Sequence, residues 1–164
     1  LCIRRQAESI RGVDLRCERA RSCKGVKIMG RPEPLEKVLD NVIQNGAKAA
    51  RDGREPWLRI TVREERALGE EVERMILLEV EDSGIGIPPE KLEHVFEPFY
   101  SNDEPGTGLG LGLAVCRGIL WSFGGDIELL QGKGGGTLAR ISLRCLDIPE
   151  EPATTAVGLP AVEG

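Results

Sequence analysis

The apolar run at residues 75–80 ends in Glu81-Asp82-Ser83-Gly84-Ile85-Gly86-Ile87-Pro88, and the rest of the chain is interpreted outward from this junction. A short apolar run that ends in turn residues predicts a buried strand. Such a strand would leave the Asp82 carboxylate at the end of a sheet, beside the bare backbone of Gly84 and Gly86. Glycine permits a positive φ and the close approach of a flat ligand. The junction predicts either a ligand-binding edge or an ordinary Asp-Ser-Gly turn that closes a hairpin.

The periodicity of apolar residues on both sides of this junction predicts an α+β domain. Alternation predicts further strands at residues 13–17, 26–29, 57–63, 126–130 and 137–143. A charged loop at residues 64–73 would join two antiparallel strands. The predicted helices are the end of a helix at residues 1–11, a long helix from Pro34, a short helix at residues 89–95 and a helix that opens at residues 106–113 and stops at Gly124-Gly125. We expect a two-layer α/β sandwich, in which three helices cover one face of a mixed sheet of about five strands.

The composition excludes several classes of protein. The chain has 164 residues, of which 40% are hydrophobic, and this suffices for one sizeable core. The net charge of −5 argues against nucleic-acid binding, which usually accompanies a basic excess. No apolar run approaches the roughly 18 residues that span a membrane, and no signal peptide is visible. We therefore expect a cytoplasmic location and no direct membrane contact by these residues, and leave open a membrane anchor elsewhere in the intact protein.

The cysteines do not suggest a metal site or a disulfide framework. The five cysteines are odd in number, lack C-x-x-C spacing and are accompanied by a single histidine, His94. We expect reduced thiols, as in cytosolic proteins.

The long helix carries a polar stripe beside its apolar face. Asn41, Asn45 and Lys48 stand at i, i+4 and i+7, within an arc of about 60°. Asparagine is a poor helix former, so two of them in mid-helix are not explained by propensity. The stripe is interpreted as the polar floor of a pocket, with a solvated helix edge as the alternative.

A glycine-rich segment at residues 106–112 leads into the last helix. The amides of residues 107–111, with the positive end of the helix dipole, would suit an anion such as phosphate. The segment is not a P-loop or a Rossmann turn, because it lacks Gly-Lys-Ser/Thr and the third glycine of Gly-x-Gly-x-x-Gly. The preceding aromatic residues, Phe96 and Phe99, are interpreted as a core anchor, or as a hinge for the polar residues 101–106.

Five short motifs in a fixed order carry a resemblance to a known family. The motifs are Asn41-x-x-x-Asn45, Asp82-x-Gly84-x-Gly86, Phe96-x-x-Phe99, Gly106-x-Gly108-x-Gly110 and Gly134-Gly135-Gly136-Thr137. Together they resemble the ATP-binding catalytic domain of bacterial sensor histidine kinases, which belongs to the GHKL superfamily with the Bergerat fold. The resemblance covers residues 12–146.

The resemblance implies a role for each motif. It implies that Asp82 accepts a hydrogen bond from the adenine amine, with Thr137 in the same network. It implies that Asn45 ligates Mg²⁺, so that metal and ATP bind together. It implies catalytic roles for Asn41, Asn45 and Lys48, and a flexible ATP lid. The implied nucleotide-binding residues are Asp82, Gly84, Gly86, Ile87, Gly106, Thr107, Gly108, Leu109, Gly110, Leu111 and Thr137.

The chain departs from the family pattern at three places. Asn102 and Asp103 stand in the lid where a basic residue is common, Gly46 replaces a usual alanine, and Gly112 replaces a usual small side chain. The acidic lid favours a nucleotide-binding regulatory module without phosphotransfer, whereas the complete set of motifs favours a kinase. A hydrolytic ATPase is the third hypothesis, but Asn41 stands where such enzymes carry a basic carboxylate.

The resemblance also implies further domains and partners. Residues 1–11 are expected to end a linker from an upstream dimerisation and phosphoacceptor domain, and residues 147–164 to form a disordered tail. The implied partners are ATP, that upstream domain, a response regulator receiver domain and, in the intact protein, a second copy. His94 is interpreted as a surface or partly packed residue and not as the phosphoacceptor.

Overall fold

The computed structural model describes residues 10–51, 55–68, 72–100 and 109–146. The elements follow in the order β1 (Asp14–Arg19), α1 (Pro32–Arg51), β2 (Trp57–Leu68), β3 (Val72–Asp82), α2 (Pro89–Leu92), α3 (Gly112–Trp121), β4 (Asp126–Gln131) and β5 (Thr137–Arg144). A single 3-10 turn, Arg21–Cys23, lies between β1 and α1.

The five strands form one mixed sheet in the order β1-β2-β3-β5-β4. β1 and β2 run parallel, and α1 makes the crossover that a parallel pair requires. The other three pairs are antiparallel, including the β2–β3 hairpin. The α+β sandwich with a mixed five-stranded sheet is therefore confirmed. Asp82 is the last residue of β3, the central strand, and lies at the end of the sheet where β2 and β5 begin. It pairs with Leu58 of β2, and its side chain accepts from the Thr137 N–H of β5.

The core lies between one face of the sheet and the helices α1 and α3. Every second residue of β5 is buried, as expected of a strand with one covered face. The helices contribute the buried residues Val38, Val42, Ile43, Cys116 and Leu120. The apolar face of α1 packs on the sheet, and a Cβ on Gly46 would lie 3.7 Å from the Asp82 Cβ. The polar stripe, which flanks Gly46 on the helix, therefore lies near the end of the sheet that holds Asp82.

Two strand predictions were wrong in extent. Residues 26–29 form only an isolated bridge between Ile28 and Cys145. The predicted charged loop at residues 64–73 is mostly strand, because β2 continues to Leu68 and β3 begins at Val72. Arg74 donates to Glu64 at 2.8 Å across these strands, so the charges pair within the ladder.

Helix boundaries also differ from the predictions. α1 begins at Pro32 and not at Pro34, and α2 ends at Leu92, short of residue 95. Ile10 and Arg11 belong to a turn, in which the Val13 N–H donates to the Ile10 carbonyl, so the helix predicted through residue 11 does not reach them. The predicted lid at residues 101–106 and the tail at residues 147–164 lie outside the described residues.

The cysteines that the structure describes, Cys17, Cys23, Cys116 and Cys145, are free thiols, as predicted. Burial raises the pKa of Cys116 to about 11, so that thiol stays protonated near neutral pH. Among the helices of the described ranges, none combines the length and the apolar character that a membrane crossing needs.

Candidate functional site

Asp82 is a buried carboxylate at the end of β3, with only 4% of the residue exposed. Its Oδ1 accepts hydrogen bonds from the Gly84 N–H at 2.8 Å and the Thr137 N–H at 3.1 Å. Burial raises the pKa of Asp82, and the charge of Glu81 adds to the rise, whereas the two N–H donors act against it. Both N–H donors use Oδ1, and the Thr137 side chain also hydrogen-bonds to this carboxylate and acts against the rise in its pKa.

The turn after Asp82 needs its two glycines for different reasons. A Cβ on Gly84 would lie 2.8 Å from the Ala49 carbonyl oxygen, so this glycine allows the turn to pack on the end of α1. Gly86 has a φ of +77°, which an L side chain rarely adopts. Ile87 follows it and is partly buried. The sequence predicted close backbone approach here, and the structure brings the turn against α1 and the β4–β5 hairpin.

The predicted polar stripe lies on α1 near the same end of the sheet as Asp82. The Asn45 Nδ2 donates to the Asn41 Oδ1 at 3.2 Å, so the two asparagines form one pair. A side-chain amide coordinates a cation through its oxygen, so Oδ1 is the metal-ligand atom that Asn45 offers. Lys48 is exposed in the last turn of the helix. Asn45 and Lys48 are exposed and Asn41 is half-buried, and the three residues lie along one side of α1, as the spacing predicted.

Gly112, the first residue of α3, lies directly against this asparagine pair. A Cβ on Gly112 would stand 2.4 Å from the Asn41 Nδ2 and 3.0 Å from its Oδ1. The glycine at position 112, which departs from the family pattern, thus leaves room for the Asn41 side chain between α1 and α3. The sequence showed the glycine as unusual but did not reveal its neighbour, which lies 71 positions earlier in the chain.

The glycine-rich segment is described only in part. Leu109 is 76% exposed, Gly110 has a φ of +63°, and Leu111 is the N-cap residue of α3. The helix therefore begins at Gly112, at the end of the segment that was predicted to open it. Gly106, Thr107 and Gly108 lie outside the described residues.

The two phenylalanines before this segment have different surroundings. Phe96 packs against the core, and the Arg117 guanidinium lies 4.7 Å from its ring centroid. Phe99 is 76% exposed with a φ of +69°, and its N–H donates to the Gly110 carbonyl at 3.0 Å. The predicted core anchor is correct for Phe96 and wrong for Phe99, because the Phe99 side chain is exposed.

His94 is exposed, and its Nδ1 lies 2.8 Å from the Glu97 Oε1. That hydrogen bond raises the pKa of His94. The surface position predicted for this residue is confirmed. Within the described ranges no three His, Cys, Asp or Glu side chains come together as a metal site, so a cation here would depend on amide and ligand oxygens.

Glu81 is the residue that the sequence analysis missed. It is 9% exposed, and its Oε1 accepts the Lys133 N–H at 2.9 Å. The sequence shows a second acid next to Asp82, which strand alternation places on the opposite face of β3. Its hydrogen-bond partner, Lys133, lies 52 positions away, so no local pattern indicates the contact.

Comparison with known proteins identifies the family of this fold. The family model "Histidine kinase-, DNA gyrase B-, and HSP90-like ATPase" matches residues 30–147. The aerobic respiration control sensor protein ArcB of Escherichia coli (strain K12) is 34% identical over 122 residues, which cover 71% of this chain and 14% of that protein. The sensor histidine kinase WalK of Bacillus subtilis (strain 168) is 37% identical over 108 residues, which cover 62% of this chain and 16% of that protein. The chain thus spans less than a fifth of the length of these relatives.

A solved structure shows the same fold. The catalytic domain of the histidine kinase ThkA, in a nucleotide-free form, matches with a TM-score of 0.69 and 26% sequence identity. The match covers 87% of this chain and 86% of that one.

Proposed function

The chain belongs to the family of histidine kinase-, DNA gyrase B- and HSP90-like ATPases, and on this premise we propose that it binds Mg·ATP and donates the γ-phosphate to a histidine. The histidine would belong to a separate dimerisation domain of a two-component sensor kinase. A response regulator receiver domain would then take the phosphate, and the intact protein would act as a homodimer in the cytoplasm. The sensor kinases among the relatives support this choice within the family.

The observation that carries the proposal is the buried Asp82 carboxylate. A buried acid is expensive unless its oxygens are paired, and here two backbone donors occupy one oxygen. The exocyclic amine of adenine would donate to the other. Gly84 and Gly86 bring backbone close to the plane where the base would lie, with Ile87 and Thr137 beside them.

The polar edge of α1 suits the phosphate end of the nucleotide. Asn45 offers an amide oxygen, which is a suitable ligand for Mg²⁺, and ATP phosphates and water would complete the shell. The metal would neutralise charge that develops on the transferred phosphoryl group. Lys48 would contact a phosphate as a point charge. The amides of residues 107–111 would donate to the phosphates at the start of α3.

The amide side chain of Asn41 supports transfer to a histidine over hydrolysis. A hydrolytic enzyme needs a base to activate water, and an amide has no useful basicity. Asn41, which accepts from Asn45 and lies against Gly112, therefore supplies no carboxylate that could activate a water molecule. The acceptor is therefore expected to be a nucleophile that another domain supplies.

The first test is nucleotide preference. Mg·ATP should bind at least ~100-fold more tightly than Mg·GTP, because guanine presents a carbonyl where adenine presents an amine, and Asp82 would then face an acceptor. Calorimetric titration of both nucleotides measures the ratio. Equal affinities would remove Asp82 from the base site.

A second test concerns the metal ligand. Asn45→Ala should weaken Mg·ATP roughly tenfold or more and leave metal-free ADP within about twofold, because the substitution removes the protein ligand of the metal. Gln44→Ala is the matched control, since Gln44 is an exposed neighbour on the same helix. If both nucleotides bind Asn45→Ala as they bind the wild type, the stripe is only a solvated helix edge.

A further inference from the structure

Glu81 and Asp82 are consecutive acids that lie on opposite faces of β3. Successive strand residues alternate between faces, so Asp82 faces the helix layer and Glu81 faces the other side of the sheet. That other side has no helix layer among the described elements, yet Glu81 is only 9% exposed. Something other than a helix must cover this carboxylate.

The cover is the β4–β5 hairpin, whose loop is Gly132-Lys133-Gly134-Gly135-Gly136. The Lys133 N–H donates to the Glu81 Oε1 at 2.9 Å, and a Cβ on Gly132 would lie 3.3 Å from the same oxygen. On the β2 side, the Arg59 Nη1 lies 3.6 Å from the Glu81 Oε2, and the Arg59 guanidinium stacks over the Trp57 ring at 5.1 Å. Glu81 therefore links β2 and the hairpin across β3.

The same hairpin contacts the turn that would hold the base. A Cβ on Gly86 would lie 2.5 Å from the Gly135 carbonyl oxygen and 3.2 Å from that of Gly136, so the two backbones touch. Gln131 holds the hairpin internally by donating its Nε2 to the Gly135 carbonyl at 2.9 Å. Any shift of the hairpin would therefore move the backbone that packs against Gly86.

A loop with four glycines has a high conformational entropy, so it needs fixed contacts to hold one position. Asp82 fixes the β5 end of the hairpin by accepting the Thr137 N–H. Glu81 fixes the loop itself from the opposite face of the sheet. The two acids thus hold one hairpin at two points, and only Asp82 is available to a base.

We propose that Glu81 is a positioning residue for the nucleotide site, which holds the β4–β5 hairpin so that the Gly86 turn keeps the shape that adenine requires. This role rests on the nucleotide binding proposed above. Glu81 contacts no nucleotide itself and acts through the Lys133 amide. Its removal should therefore change how the base is recognised more than how the phosphates are held.

The test compares Glu81→Ala with Glu81→Gln, which keeps an oxygen acceptor for the Lys133 N–H. Glu81→Ala should weaken ATP about tenfold, lower the ATP-to-GTP preference by a similar factor and leave binding of inorganic triphosphate within about twofold. Glu81→Gln should stay within about threefold of wild type for all three ligands. Hydrogen exchange at the Lys133 amide should rise in the alanine variant only.

Glu79→Ala is the matched control. Glu79 lies two residues earlier on the same face, where it accepts from Arg140 at 2.7 Å and from Thr61 at 3.3 Å, away from the hairpin loop. Its loss should lower the melting temperature without changing the ATP-to-GTP ratio.

The outcomes separate this inference from the function on which it rests. If the wild type binds no adenine nucleotide, the proposed function fails, and this role fails with it. If the wild type binds ATP selectively but Glu81→Ala keeps the same affinity and selectivity, Glu81 only stabilises the fold, and this role alone is overturned. A loss of ATP affinity in Glu81→Ala without a change in selectivity also overturns it.

Discussion

Asp82→Asn should weaken Mg·ATP by at least ~100-fold and at the same time raise the melting temperature of the ligand-free protein. The Asn Oδ1 can keep the two backbone N–H bonds from Gly84 and Thr137. The Nδ2 would then stand where the carboxylate accepts from adenine, so a donor would face a donor. The free energy of unfolding should rise, because the substitution removes the desolvation cost of burying the Asp82 carboxylate on folding.

The pH dependence of stability provides an independent check on this substitution. Since burial raises the pKa of Asp82, the native state binds more protons than the unfolded state between the ordinary and the raised pKa. This carboxyl therefore makes stability fall as pH rises through that window, and the loss persists above it. Asp82→Asn should remove this contribution, so its gain in melting temperature should be larger near pH 7 than near pH 4.

Thermal melts at several pH values and calorimetric titration measure both effects. Ser83→Ala is a suitable comparison, because Ser83 lies in the same turn and its Oγ accepts from the Trp57 N–H at 2.9 Å. It should lower stability with little change in ATP affinity. Retained ATP binding by Asp82→Asn would contradict the adenine assignment.

The sequence predicted the strand that ends at Asp82, the glycines that follow it and the polar stripe on α1 correctly, because these features are local. The strand before Asp82 and the polar stripe on α1 follow from residue periodicity alone. The stop at Gly124-Gly125 is confirmed, since α3 ends at Trp121, Gly124 has a φ of +69° and the Gly125 N–H donates to the Leu120 carbonyl.

The failures concern contacts between distant residues. The β2–β3 hairpin was cut short because charge runs usually indicate solvated loops, whereas here Arg74 and Glu64 pair across strands and the hydrogen bond lowers the pKa of Glu64. In the sequence, Gly46 stands out only as a departure from the alanine that is usual in the family. In the structure a Cβ there would lie 2.8 Å from the Leu58 Cδ1 and 3.7 Å from the Asp82 Cβ, so the glycine lets α1 approach the sheet at the site. No local pattern reveals such a neighbour.

The protein should bind Mg·ATP without phosphorylating itself, and a domain that carries a phosphoacceptor histidine should restore labelling when it is added in trans or joined upstream. Phosphoryl transfer needs an imidazole in line with the γ-phosphate at near-attack distance. His94 is not expected to fill this role, because it is an exposed residue after α2 whose Nδ1 lies in a hydrogen bond with Glu97, and it belongs to none of the motifs that form the nucleotide site. Incubation with γ-labelled ATP, followed by an acid-lability test, measures the product.

Two results would contradict this prediction, and they point in different directions. Acid-labile phosphate on the isolated protein that disappears in His94→Ala would make His94 the acceptor, with Glu97→Ala as the variant that tests its activation. A chain joined to its phosphoacceptor domain that binds Mg·ATP tightly but never phosphorylates the histidine would favour a nucleotide-binding regulatory module. In that case the acidic residues Asp103 and Glu104 would be the first to replace by lysine or arginine, because a lid that repels the γ-phosphate should recover transfer when its charge is reversed.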